Sequence, residues 1–312
     1  MTLPHSLVKL RTSVMVNLPR SFESGQALLI VLLSMAVVLV LVLSILSRSI
    51  TDVGVTTQGE ESLRAFSAAE AGVEYALISG TSIGDTPLGQ ASFSADVSGF
   101  SSGEKYYVHP TLVGSGDLVT VWLVAHGDDG TLNCSEETCF TGSVVEVCWG
   151  EAGTPVDQAT TPAVEIVVYY TETPGDYTTA RVLRIPLDPN TARRSLNNFS
   201  APDVGTCTID DTDFQFRSQV DLAALGVPAS SYDFENGLQF IRIRILYNVG
   251  ESHPVGVNID FPGNGILPSQ GFKIESRGTA GSANRKIDVF QSFGELPPVF
   301  DAALFSFGGF SK

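Results

Sequence analysis

Positive charge is scarce in this chain: 18 Lys and Arg stand against 34 Asp and Glu, for a formal net charge of -16 over 312 residues. Three of the cations, Lys9, Arg11 and Arg20, precede Gly25 with Glu23 as their only acid, so the chain beyond Gly25 is more acidic still. Nucleic-acid affinity is drawn mostly from clustered Lys and Arg, which excludes nucleic acid as a main partner. Histidine is sparse as well. His5, His109, His126 and His253 are scattered, with no H-E-x-x-H run and no adjacent carboxylate pattern, so a metallohydrolase spacing is absent. No Gly-rich phosphate loop occurs. "GTSIG", Gly80 to Gly84, matches G-x-S-x-G, but that motif works by exposing serine on a strand-turn-helix, and here Ser82 follows a helical stretch. "LPSQG" at Leu267 to Gly271 lacks the Thr of a sortase signal. No carboxylate pair announces itself as catalytic. The chain reads as non-enzymatic, with no cofactor.

There are only four cysteines, Cys134, Cys139, Cys148 and Cys207. Their spacing fits no common zinc finger. An even count in a segment that would be exported favours two disulfides, with three pairings open. "TIDDTDF" brings Asp210, Asp211 and Asp213 together as oxygen ligands for calcium, yet without the Gly and terminal Glu of an EF-hand loop. A solvated acidic loop is the default reading there, and no metal is assigned.

What the sequence does have is a long apolar run. From Ala27 to Leu46 there are 20 residues, 15 of them Leu, Ile or Val, and none is charged. As a helix this stretch spans about 30 Å, a full hydrocarbon crossing. Its insertion is favoured by about 5 kcal/mol or more. A cleavable secretion signal has a shorter core followed by small-x-small, whereas this run is long and ends at Ser47-Arg48-Ser49. Lys9, Arg11 and Arg20 keep the N-terminus cytoplasmic and place the bulk of the chain outside.

Beyond the run, "ESLRAFSAAEAGVEYALISG" repeats apolar residues every three or four positions, at Leu63, Phe66, Ala69, Val73 and Leu77. These are the candidate helix-packing residues. Gly54 and Gly59 weaken the join, and Gly80, Gly84 and Pro87 end the helix.

The basic leader ending in Gly25, the apolar helix starting at Gln26 and the amphipathic "AFSAAEAGVEYAL" together resemble type IV pilin-like proteins, most closely the PilX-type minor pilins and minor pseudopilins. The resemblance covers residues 20 to 80 well and is thinner beyond. It implies that a prepilin peptidase cuts between Gly25 and Gln26 and that the apolar helix is kept. It implies as partners the peptidase, an inner-membrane assembly platform, membrane lipid and other pilin subunits. The localisation implied is single-pass in the cytoplasmic membrane, N-terminus inside, with the bulk on a pilus or cell surface. One departure stands out. Shaft subunits of the family carry Glu at the fifth mature position, and here that position is Ile30. A carboxylate in an apolar bundle is costly unless paired. A tip subunit has no subunit above it to neutralise, so the absence favours a minor, initiating or capping role.

After Pro87 the period changes to two, and the rest reads as β: "ASFSADV", "LVTVWLVAH", "SVVEVCW", "AVEIVVYY", "ARVLRIPL", "FQFRSQV", "LQFIRIRILY", "GFKIESRG" and "RKIDVFQS". In "IRIRI", Ile241, Ile243 and Ile245 share one face, and Arg242 and Arg244 form a solvated one. The two last segments, around a Gly-rich connection, resemble the final hairpin of a pilin-type sheet. The fold expected is therefore α+β: a long N-terminal transmembrane and amphipathic helix packed on an antiparallel pilin-type sheet, with an inserted all-β, sandwich-like module. Its divisions are a leader at 1–25, the helix at 26–80 with its membrane span at 27–46, a pilin-type β region at 81–112 and 268–312, and the insert at 113–267. In the closing "LPPVFDAALFSFGGF", Phe300, Leu304, Phe305 and Phe307 are expected to pack on the domain. The competing reading is a single-pass membrane-anchored extracellular β-protein, an adhesin or receptor, that never enters a filament. A hydrolase on a membrane stalk is a third class, resting on Ser82 alone.

Overall fold

The computed structural model describes residues 24–127, 129–135 and 137–295. The leader and the aromatic tail, with Phe300, Leu304, Phe305 and Phe307, lie outside them. The chain divides into two compact units, Met1–Glu61 and Ser62–Lys312.

Helix α1 (Ser24–Ser79) begins in the first unit and ends in the second. It passes through Gly54 and Gly59 without a break. A lone glycine costs a helix only about 1 kcal/mol, too little to end one. Its apolar part is bare of protein: Leu29, Leu33, Val38 and Leu43 are all more than half exposed. Within the helix Ser34 donates its hydroxyl to the Val31 carbonyl at 2.9 Å and Thr51 to that of Ser47 at 2.9 Å. Gly80 ends α1 at φ +66°, donating its N–H to the Ala76 carbonyl. That left-handed conformation is one an L side chain resists.

In the second unit the strands follow as β1 (Ile83–Leu88), β2 (Ala91–Gly99), β3 (Tyr106–Val108), β4 (Leu118–Trp122), β5 (Val144–Glu151), β6 (Ala163–Thr171) and β7 (Ala180–Leu187). After the short helix α2 (Thr191–Asn197) come β8 (Cys207–Ile209) and β9 (Thr212–Asp221). The one-turn α3 (Ala229–Tyr232) precedes β10 (Leu238–Leu246), β11 (Val255–Asn258), β12 (Gly271–Ala280) and β13 (Ala283–Ser292). They form three antiparallel sheets. One, ordered β1-β2-β12-β13, backs onto α1; the other two, β4-β10-β6-β7 and β3-β11-β5-β9-β8, bury a common core as a sandwich. Ile241, Ile243 and Ile245 lie in that core with Val164, Ile166, Val147 and Trp149, as their period-two spacing requires.

Sheet β1-β2-β12-β13 is interrupted between β2 and β12 by the whole sandwich. The chain leaves and returns as a paired neck: Phe100 N–H donates to Gly271 O at 2.9 Å, Gln270 N–H to Phe100 O at 2.8 Å, and Gly103 N–H to Leu267 O at 2.9 Å. The insert thus starts directly after β2. Tyr106–Val108, expected within the pilin-type region 81–112, pairs instead with β11 in the sandwich.

Two expectations about side chains are corrected. Arg242 is 3% exposed rather than solvated. It lies on the sheet face opposite the isoleucines, with its guanidinium carbon 5.6 Å from the Phe240 ring centre and Nη2 4.0 Å from Glu295. The outer face of β10 is covered there, because Phe293 packs with Trp122 and Phe240 in a second apolar cluster. The buried stripe of α1 also differs from the one expected. Ala69 is fully buried and Val73 packs on the core, but Leu63, Phe66 and Leu77 are 70%, 44% and 43% exposed. Ala65, Ala68, Gly72 and Ala76 take the facing positions, because the helix approaches too closely for larger side chains.

Candidate assembly surface

The features that attach this chain to anything else begin with the exposed apolar part of α1. The helix has an 18-residue window of mean hydropathy 3.3, none of it buried, and is long and apolar enough to cross a membrane. Twenty such residues exposed to water would be an aggregation site. Gly25 and Gln26 fall in the first turn of α1 by backbone conformation, and Ile30 sits on the apolar surface at 59% exposure.

The second half of α1 is docked by small residues. Ser276 on β12 donates its hydroxyl to the Ala69 carbonyl at 2.7 Å. A Cβ added to Gly278 would sit 2.0 Å from the Ala65 carbonyl oxygen, and one added to Gly72 would sit 2.3 Å from Ser276 Oγ. At 3.6 residues per turn, Ala65, Ala69, Gly72 and Ala76 form one stripe, and Leu63 falls about 150° away, nearly on the opposite face. Arg285 on β13 donates to the Ser62 hydroxyl at 3.0 Å, at the start of the docked segment. The signal for this stripe was the run of Ala and Gly in "AFSAAEAGVEYA", which a search for large apolar residues passes over.

The opposite face of that sheet is charged. Glu275 is paired with both Lys273 and Lys286, and Lys286 also reaches Asp288 at 3.0 Å. Hydrogen bonds from Lys273 and then Lys286 draw the Glu275 carboxyl down to about 2.

Both disulfides form. Cys134–Cys139 closes a short loop, and Cys148–Cys207 ties β5 to β8 across the intervening β9. They fit an oxidising, extracytoplasmic compartment. The calcium candidates serve a different purpose. Asp210 and Asp211 have φ of 45° and 60° and make the two-residue turn between β8 and β9, while Asp213 accepts from the Thr208 hydroxyl at 2.6 Å. Paired positive φ values are what a tight hairpin turn demands, and Asp tolerates them. Among the described residues no three His, Cys, Asp or Glu side chains gather as a metal site.

Ser82 lies at the foot of β1, where its hydroxyl accepts from the Val97 N–H at 2.9 Å. It lies between α1 and β1 and not on a strand-turn-helix elbow. His109, His126 and His253 line no common site; burial lowers the pKa of each, opposed at His253 by Glu251 and Glu151. A buried polar clamp escaped the sequence reading altogether. Asp188, fully buried, accepts from Arg193 Nε at 2.7 Å, Arg193 Nη2 at 2.8 Å and Asn197 at 2.8 Å, and Arg193 stacks 4.0 Å over Tyr247. Burial pushes this carboxyl up, but those hydrogen bonds outweigh it and hold it below its ordinary value. The clamp fixes α2 to the sandwich.

Comparison with protein-family models, with curated proteins and with solved structures finds no match for this chain.

Proposed function

We propose that this chain is a minor pilin-like or pseudopilin-like subunit, cut after Gly25, held in the cytoplasmic membrane by the helix that begins at Gln26, and then incorporated at or near the tip of a filament. The observation that carries the reading is a single helix in two regimes. Residues 27–46 are apolar and bare, while the stretch from Ala65 to Ala76 is sealed onto an antiparallel sheet by Ala and Gly. Such a helix exchanges lipid for neighbouring helices without disturbing the folded unit it carries, and assembly then proceeds by packing rather than catalysis. The disulfide-tied sandwich is the part displayed outward, for adhesion or contact with an exported substrate.

Ile30 favours a second reading in one respect. An uncharged fifth mature position removes a device for register between subunits, which also suits a plain membrane-anchored surface protein. The N-terminal sequence and intact mass of the membrane-extracted protein, from cells with and without the prepilin peptidase, separate the two. A peptidase-dependent terminus at Gln26 is expected. An intact terminus, or one beyond Ser47, would remove the filament reading and leave the anchored β-protein.

A further inference from the structure

Two adjoining clefts lie where the helix-backed sheet meets the sandwich. The larger, about 420 Å³, is lined by Phe100, Tyr107 and Phe290 with His109, Asp288 and Ser292. The smaller, about 290 Å³, shares His109 and Thr111 with it and extends to Asp117 and Glu295. Val289 faces α1 through Ile274, so Asp288 and Phe290 project from the opposite face of the sheet, toward β3. There the Phe100 and Phe290 ring centres lie 4.9 Å apart, and Phe100 meets Tyr107 edge-on at 5.6 Å. Phe290 is 43% exposed on a face that also carries Lys273, Glu275, Lys286 and Asp288.

The charged side chains of the lining are of one sign. Among the described residues no Lys or Arg lines either cleft, whereas three carboxylates do. Each has one oxygen engaged: Asp288 Oδ1 by Lys286 at 3.0 Å, Asp117 Oδ2 by the Gly114 N–H at 3.1 Å, and Glu295 Oε2 by Thr120 with Arg242 at 4.0 Å. His109 has its Nδ1 2.9 Å from the Tyr107 hydroxyl, and burial lowers its pKa. The three carboxylates disfavour an anion here, even with Lys286 and Arg242 beside two of them. Asp288 belongs to one cleft, and Asp117 and Glu295 to the other, so the carboxylates flank the shared His109 and Thr111.

We propose that this double cleft binds a small aliphatic polyamine, its methylene chain against Phe100 and Phe290 and its ammonium groups directed to Asp288 at one end and to Asp117 and Glu295 at the other. Ligand sites of this size are mostly apolar with a few placed polar groups, and a cation gains from the face of an aromatic ring. The assignment is independent of the filament reading.

The test is isothermal titration of the full-length protein in detergent micelles with spermidine, at physiological salt so that diffuse attraction to the acidic surface is screened. Saturable binding is expected, weakened about tenfold by Phe290→Ala and by Glu295→Gln, the scale of one lost contact of either kind. Fully acetylated spermidine should not bind. Both substituted residues are exposed, and unchanged thermal unfolding of each variant shows that the fold is intact. Wild-type affinity retained in both variants, equal binding of the acetylated analogue or of a neutral hexose, or no saturable binding of spermidine would each overturn the proposal. A tri-lysine peptide that binds where spermidine does not would overturn it in favour of a protein ligand.

Discussion

Gly278 faces the backbone of α1 so closely that a single added carbon has nowhere to go. Its Cβ would lie 2.0 Å from Ala65 O and 2.4 Å from Ala69 N, both backbone atoms that cannot rotate aside. Gly278→Ala must therefore push the helix off β12, at a cost of about 1–3 kcal/mol. Thermal unfolding in detergent should show a drop of several degrees, about 2–4 °C per kcal/mol in a unit of this size. Gly84→Ala is the control, since nothing lies within 4 Å of its added Cβ. That variant should unfold within about a degree of the wild type, as open surface substitutions do. Equal losses in the two would mean that the close approach of helix and sheet is not what holds the docked segment.

Among elements, the two disulfides differ in the length of chain they restrain. Cys148–Cys207 closes a separation of 59 residues and Cys134–Cys139 one of 5. By loop entropy the first contributes about 4 kcal/mol and the second about 2 kcal/mol. Replacing Cys148 and Cys207 together by Ala should therefore lower the unfolding midpoint markedly more than the same change at Cys134 and Cys139. Unfolding scans of the two double variants check the order. Element identity was largely legible beforehand. Strands such as Ala163–Thr171 and Leu238–Leu246 are long and rich in β-branched residues, and Leu238–Leu246 alternates through its Ile-Arg run, which declares them. Short strands did not declare themselves. Val255–Asn258 contains Gly256, which is needed because a Cβ there would sit 2.9 Å from the Phe214 ring, a contact invisible from the chain alone. Arg242 failed for a related reason. Alternation assigns a side chain to a face, and what covers that face comes from distant sequence, here Phe293 and Glu295. The docked stripe of α1 was legible in its period but not in its phase, since Leu63 and Phe66 drew the eye from Ala65 and Gly72.

For the whole molecule, the decisive asymmetry is between an apolar helix with no cover and an acidic β body with a complete core. Two arginines placed at Val38 and Leu39 would each cost about 2.5–3.5 kcal/mol at the middle of the span and cancel its insertion energy. Alkaline carbonate extraction of membranes should then release the variant, where the wild type stays in the pellet. Retention of the variant would mean that something other than Ala27–Leu46 holds the protein to the membrane. The double cleft was not legible at this scale, because it gathers residues from segments far apart in the chain. The Asp188 clamp is local, spanning Asp188 to Asn197, but its burial depends on the distant Tyr247 and the sandwich around it.

The paired neck at Phe100–Gly271 has a consequence for how such a protein changes over time. Its two strands run side by side with hydrogen bonds of 2.8 and 2.9 Å, so the gap left by excising the sandwich is one a two-residue turn can bridge. The β2–β12 register would carry on into an ordinary hairpin beneath the helix. A lineage can lose, enlarge or exchange the outer module by recombination at one point without renegotiating its anchor. The sandwich and the helix-backed sheet thus lie on separable stretches of sequence.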